Sequence, residues 1–280
     1  MALEDDFSDI IKKARTGQRR SVTDLSHASG LPETEIMNLE RGNVPRHREQ
    51  VTALANALGL RPEPLGHIAT GSWTPRVVTG LDGLEIILGS IGGYEVKGYV
   101  LHNAGEAVII DTGYNPKAML DVLARRGLRL RAVCLTHGHA DHADGLKDIL
   151  ADWPVPVYLG PADRELLNWT PQADALRVPQ DGEKIHIGAF TVSFMTTPGH
   201  TPGGICYRVD QAEQPLCFVG DTLFAGSIGR SNPAELYQTH LESVRGRVLK
   251  LDHGTLLFPG HGPATTVREE LVHNPFGSQT

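Results

Sequence analysis

No stretch of this 280-residue chain holds 18 consecutive apolar residues, so it offers no helix able to cross a bilayer. Basic residues are not in excess. Lys and Arg number 26 against 33 Asp and Glu, a net charge of −7, and the pI is about 6.0. That balance argues against a protein that coats nucleic acid or adheres to a membrane surface. Cysteine is scarce: Cys134, Cys206 and Cys217 are an odd number without CxxC spacing. Cys134 and Cys217 lie in the strand-like runs AVCLT and PLCFVGD, so reduced, buried thiols are expected rather than disulfides or thiolate metal ligands. The opening MALEDDFSDI lacks the basic start and apolar core of a signal peptide, and a cytoplasmic location is expected.

What is present is ordinary in bulk: 40% hydrophobic and 21% charged residues, with 31 Gly and 18 Pro. That is enough apolar side chain to bury a core and enough length for two domains. The two parts follow different patterns. Phe7, Ile10, Ile11 and Ala14 repeat at i, i+3, i+4, i+7, and Val51, Leu54, Ala55 and Leu58 do the same. Ser21 or Thr23 can cap a helix carrying Leu25, and Pro32 suits the first turn of one carrying Ile36 and Leu39. Gly17, Gly30, Gly42 and Gly59 punctuate a bundle of four or five helices. RPEPLGHIATGSWTP reads as a connecting stretch, with Leu65 and Ile68 still belonging to the helices. Beyond it come short β-branched runs: YVLH, AVIID, AVCLT, VPVYLG, KIHIG, FTVSFMT, ICYRV, LCFVG and TLLFPG. NPKAMLDVLARRG, ADGLKDILADW, GPADRELLNW and PAELYQTHLESVRGRVLKL read as helices between them. This is an α/β pattern.

Residues that could do chemistry follow the strands. AVCLT runs into His137-Gly-His139-Ala-Asp141-His142, FMTTPG into His200, FVG into Asp221 and LLFPG into His261. His137 and His139 would face apart on a helix, yet both can turn to one centre on a loop leaving a strand. Asp141 and His142 are expected to begin the helix ADGLKDIL, the carboxylate favoured at its N-terminal end. Imidazoles with carboxylates form a donor set for a borderline divalent ion such as Zn²⁺. The other eight histidines (27, 47, 67, 102, 186, 240, 253 and 273) carry no such pattern and are read as structural or surface residues.

HxHxDH, followed in order by His200, Asp221 and His261, resembles the metallo-β-lactamase superfamily over about residues 77–280. The resemblance implies an αββα sandwich with one or two metals between its sheets. It places a first metal on His137, His139 and His200, a second on Asp141, His142 and His261, and Asp221 between them. Asp111 in VIIDTG matches an early aspartate that supports the metal loop from behind. TPGHTPGG, GDTLFAGSIGR and FPGHGPATT are similar to the glyoxalase II group, which hydrolyses thioesters of hydroxyacylglutathione. A hydroxide shared by two metals would then attack the carbonyl and the thiolate or alkoxide would leave, with Asp141 orienting the water and taking its proton. Arg230, in GSIGR, is the candidate for an acidic group on a small thioester, ester or lactone substrate. The chain runs only to Thr280 after His261, without the helical domain by which long glyoxalase II enzymes grip glutathione, so another carrier is expected. The persulfide dioxygenases resemble the same group and would use one iron on His137, His200 and Asp221.

SVTDLSHASGLPETEIMNLERGN resembles the lambda-repressor-like helix-turn-helix domain, over about residues 7–60. The resemblance implies that Pro32–Arg41 would enter a DNA major groove, and that the chain forms a homodimer. Residues 1–64 hold nine Lys/Arg and ten Asp/Glu, a net of −1, with Glu33, Glu35 and Glu40 on the would-be reading helix. Phosphate neutralisation, the main source of DNA affinity, is poorly served by that balance. Lys12, Lys13, Arg15, Arg19 and Arg20 form the one basic cluster there that could meet phosphate. On that resemblance the alternative to an enzyme is a DNA-binding transcription regulator whose metal domain senses a metabolite; no particular DNA-contacting residue is assigned. The expected organisation is a helix-turn-helix bundle at 1–68, a linker at 69–76 and the metal domain at 77–280.

Overall fold

The computed structural model describes residues 2–76, 78, 80–210 and 214–278. The expected first and last residues of the metal domain, Val77 and Thr280, lie outside these. Five helices come first: α1 (Phe7–Gly17), α2 (Val22–Ser29), α3 (Glu33–Leu39), α4 (Arg48–Leu58) and α5 (Pro62–Thr70). Their ends follow local chemistry. Asp6 and Asp9 form a capping box on α1, and Ser21 and Asp24 form one on α2. Gly30, Gly59 and Gly71 close α2, α4 and α5 in the left-handed conformation. Helix α5 runs to Thr70, into the stretch expected as linker, because Pro62 opens it and the first residue free of helical geometry is Gly71.

The remainder is a four-layered sandwich. One sheet has the order β1 (Leu84–Ile91), β2 (Tyr94–Asn103), β3 (Glu106–Thr112), β4 (Arg129–Cys134), β5 (Val157–Tyr158), β6 (Leu176–Arg177). The other runs β12 (Thr265–Thr266), β11 (Leu256–Pro259), β10 (Leu216–Gly220), β9 (Ile205–Asp210), β8 (Phe190–Thr196), β7 (Lys184–Ile187). Strand alternation separates the layers. Val108 and Ile110 of β3 face the second sheet, among Tyr99, Phe194, Tyr207, Phe218 and Phe258. Ala107 and Ile109 face outward onto α6 (Pro116–Arg126) and α8 (Leu146–Asp152), through Met119, Val122, Leu146 and Ile149. Two hydroxyls tie the sheets just beneath the strand ends: Tyr99 Oη donates to Pro259 O at 2.5 Å and Tyr207 Oη to Leu135 O at 2.7 Å.

The outer face of the second sheet is covered twice. Cys206, Cys217, Val219 and Leu257 pack with α9 (Tyr237–Gly246) and α10 (Val267–His273). The same cluster continues without a break into Phe7, Ile10, Ile11, Leu54, Leu65 and Ile68 of the N-terminal helices. The bundle therefore shares one apolar core with the sandwich. Arg61 strengthens the join, donating to Leu271 O at 2.7 Å.

Two of the expected helices take other forms. The helix expected to run from Asp141 and His142 through ADGLKDILADW divides into α7 (Ala140–Ala143) and α8, broken at Asp144–Gly145. Gly145 sits where a side chain would press on Thr112, 2.8 Å from its Cβ, so the chain can pass there only as glycine. GPADRELLNW yields a 3₁₀ turn, Pro161–Leu166, because Asp163 points inward to bind neighbouring loops. The edge strands β1, β6 and β12 carry too little period-two pattern to be read from sequence.

Candidate metal centre

All the strand-end residues arrive at one place. Strand β4 delivers Thr136, His137 and His139, and α7 carries Asp141 and His142. The loops after β8, β10 and β11 deliver His200, Asp221 and His261. Three groups of donor atoms form, each within 4.8 Å: His137, His139 and His200; His137, Asp141 and His142; His142, Asp221 and His261. Within the first, His200 Nε2 stands 3.0 Å from His139 Nδ1. Nitrogens held about 2.0–2.1 Å from one tetrahedral ion stand roughly 3.3 Å apart, so the spacing suits a shared ion. Asp221 lies between the groups, Oδ1 at 3.3 Å from His142 Nε2 and Oδ2 at 3.6 Å from His200 Nε2. Asp141 Oδ2 is 3.2 Å from His261 Nε2.

The donor set fits cations on its own evidence. His137 Nε2, His142 Nε2 and Asp221 Oδ1 are buried with no hydrogen-bond partner, although buried polar atoms are almost always satisfied. The backs of the rings, by contrast, are held. His142 Nδ1 lies 2.8 Å from Asp111 Oδ2, His200 Nδ1 2.7 Å from Arg230 O, and His261 Nδ1 2.6 Å from Glu95 O. The Thr136 hydroxyl donates to Asp111 Oδ2 at 2.7 Å and so can accept from His137 Nδ1 at 3.0 Å. Each contact turns Nε2 toward the centre. Asp111 also accepts from Thr136 N at 2.7 Å, with its backbone in the left-handed region at φ 52°. Neighbouring glycines leave room for the ligands: a Cβ at Gly260 would collide with His142 and with Asp221 Oδ1.

Electrostatics sorts the ligands. Burial pushes His137 well below its usual range, and His200 down to about 4, so both present neutral imidazoles. Burial also disfavours charge on His261, but Asp221 and a hydrogen bond that His261 donates to Asp141 outweigh it and lift His261 to about 9. Asp221 is buried too, yet His261 and His142 hold it well below the usual carboxylate range. A cation bound at His261 would therefore have to displace a proton from it. Asp141 is the most exposed carboxylate, at 24% of its side chain.

Several neighbours carry no signal in the sequence. Asp163, fully buried, accepts from Gly138 N at 3.1 Å, Thr201 Oγ1 at 2.6 Å and Gly203 N at 2.6 Å, tying the His137–His139 loop to the His200 loop. His240, one of the eight unassigned histidines, is buried beneath the 221–231 loop, 2.8 Å from Thr222 O and 3.1 Å from Ser231 Oγ. The Arg230 side chain is exposed at the rim, while its carbonyl orients His200. The N-terminal segment also reaches the site: a Cβ on Gly262, next to His261, would lie 3.0 Å from the backbone of Glu4.

The chain's residues 91–261 match the model of the metallo-β-lactamase superfamily, and the chain belongs to that superfamily. Among curated relatives, it is 33% identical to a probable metallo-hydrolase, YqgX of Bacillus subtilis, over 66% of this chain and 94% of that one. It is 31% identical to the hydroxyacylglutathione hydrolase GloC of Haemophilus influenzae, over 61% and 86%. Among solved structures, the B3 metallo-β-lactamase BLEG-1 superposes with a TM-score of 0.61 at 34% identity, covering 69% of this chain and 98% of that one.

Proposed function

We propose that the chain is a metal-dependent hydrolase of a thioester or related ester or lactone bond, similar in chemistry to the glyoxalase II group. The observation that carries this reading is the donor count. Seven donors fall into three overlapping groups, sharing His137 and His142, and that is more than a single ion would take up. A single iron on His137, His200 and Asp221 would leave His139, Asp141, His142 and His261 without a task. Nitrogen-rich, carboxylate-supplemented sites of this kind suit zinc. Two such ions would supply Lewis acidity toward a carbonyl and a water acidic enough to ionise near neutral pH.

The remaining work falls to the chain. The Asp141 carboxylate, the most exposed of the set, orients a water at the mouth and accepts its proton. Asp111, through Thr136 and His142, keeps the ligand rings facing forward. The Arg230 guanidinium stands at the rim, in reach of an acidic group on the substrate. The resemblance of the bundle to a DNA reader gains little here. Lys13 pairs with Asp5, and Arg15 holds Glu40 through two bonds at 2.5 and 2.8 Å. Arg20 donates to Ala57 O at 2.5 Å, and Arg19 meets Glu235. Most of the basic cluster is engaged inside the molecule, and the bundle reads as part of the enzyme.

Elemental analysis of protein purified without added metal tests the proposal. About two zinc ions per chain, with chelator-sensitive thioester hydrolysis, is the expected result. One iron per chain with oxygen consumption would sink it. For the bundle, sequence-selective gel shifts that survive a salt series would restore the DNA-binding reading.

A further inference from the structure

Residues 221–230 form the loop that carries Asp221 and orients His200, and helix α1 reaches it directly. Lys13 Nζ donates to Ile228 O at 3.0 Å and to Asp5 Oδ2 at 2.5 Å. The same Asp5 oxygen accepts from Ser227 Oγ at 2.5 Å. The pair is largely buried, with side-chain exposures of 11% for Lys13 and 7% for Asp5. Lys13 also stands 5.0 Å over the Phe224 ring, and Phe224 meets the His261 ring edge-on at 5.8 Å.

We propose that Asp5 and Lys13 are positioning residues for the metal centre, acting through this loop. The path is short. Ile228 is followed by Gly229, whose N–H donates to Asp221 O at 3.0 Å. A Cβ at Gly229 would collide with that same carbonyl and lie 2.9 Å from His200 Nδ1, so the loop has no slack there. The next residue, Arg230, offers the carbonyl that fixes His200. A shift of Ile228 therefore moves the backbone of one ligand and the orienting acceptor of another. Through Phe224, the same ammonium abuts a third ligand, His261. Removing either charge leaves its partner buried and unpaired against the loop, which favours a displaced loop over a small local relaxation. The N-terminal helices thus set ligand geometry from outside the sandwich.

The inference rests on the proposed metal centre, not on which bond is hydrolysed, and its test is built to separate the two. Full-length metal-free chain is titrated with cobalt(II), following the visible absorption of the bound ion, and with zinc in competition with a chromophoric chelator. Lys13→Met is expected to weaken metal binding about tenfold, the low end for loss of a ligand-orienting contact, and to alter the cobalt spectrum. Lys13→Arg, which keeps the charge and donors, is expected to restore most of both. Ser227→Ala, which strands no charge, is expected to weaken binding about threefold and answers the question should Lys13→Met fail to fold. Lys117→Met, on an exposed pair of α6, serves as the control. Wild-type affinity and an unchanged spectrum in folded Lys13→Met, or in Ser227→Ala if it alone folds, would overturn the inference. A wild-type chain that takes up no cobalt would instead overturn the metal centre itself.

Discussion

The two halves of the candidate metal site are built in different ways. The His137–His142 half is supported mainly by its own sheet, through Asp111 and Asp163, with β9 of the second sheet reaching it at Leu135 and Thr136. The Asp221–Arg230 half is supported from elsewhere in the chain: α1 through Lys13, α9 through His240, and α10 through Asn274 and Glu270. A motif compact in sequence can be held by compact means. A ligand carried on a long loop needs distant elements, and these include helices that lie outside the family match.

The largest effect is expected where the compact half is broken. Asp163→Ala strands two backbone N–H groups and one hydroxyl in a buried place. At 1–3 kcal/mol each, the loss of stability is on the order of 4 kcal/mol, measured by urea denaturation of the metal-saturated protein. A loss under 1 kcal/mol would mean that the His137 loop stands without Asp163, and the contrast between the halves would fail.

Next comes the contact that orients both His142 and, through Thr136, His137. Asp111→Asn keeps the shape but places an amide against a donor. A tenfold to hundredfold fall in metal affinity is expected, with activity restored in part by excess metal. Unchanged affinity would show that the rings hold their orientation by packing alone.

The distributed half can be probed by pH. Glu270 is fully buried, and burial pushes it up to about 7 although Thr265, Asn274 and Gly226 donate to it. Its folded value lies above its ordinary value, so its contribution to stability is complete below about 4.5 and is lost as pH rises through about 7. Between pH 6 and 8 wild type should lose on the order of 1 kcal/mol more than Glu270→Gln. Parallel pH profiles for the two proteins would show that Glu270 does not govern the α10 side of the clamp.

What was legible in the sequence follows the same division. HxHxDH, His200, Asp221 and His261 could be placed at one centre because each follows a strand and each offers metal-type donors. The N-terminal helices could be placed because their apolar period and capping residues are local. Asp163, His240, Asp5 and Lys13 could not, since each works through a contact spanning 18 to 222 positions in the chain. A lone Asp or Lys carries no mark of the backbone atom it will meet. The sharing of one core by bundle and sandwich was hidden for the same reason: Ile10 and Leu65 look equally suited to an independent bundle.

Two ion pairs stand where the N-terminal segment meets the loops of the sandwich, and they should differ sharply. Arg19 meets Glu235 at 3.1 Å, but the side chains are 68% and 60% exposed. Water competes for both charges and salt screens them, so such pairs contribute well under 1 kcal/mol. Lys13 and Asp5 pair within the N-terminal segment, but the pair is buried and hydrogen-bonds the 221–230 loop at Ile228 O and Ser227 Oγ. Arg19→Ala is therefore expected to leave stability within about 0.5 kcal/mol and metal affinity unchanged, read by the same denaturation and chelator-competition measurements. An effect as large as that of Lys13→Met would mean that any bridge between bundle and sandwich suffices. The coupling would then be one of whole bodies rather than of a particular buried charge beside Ile228.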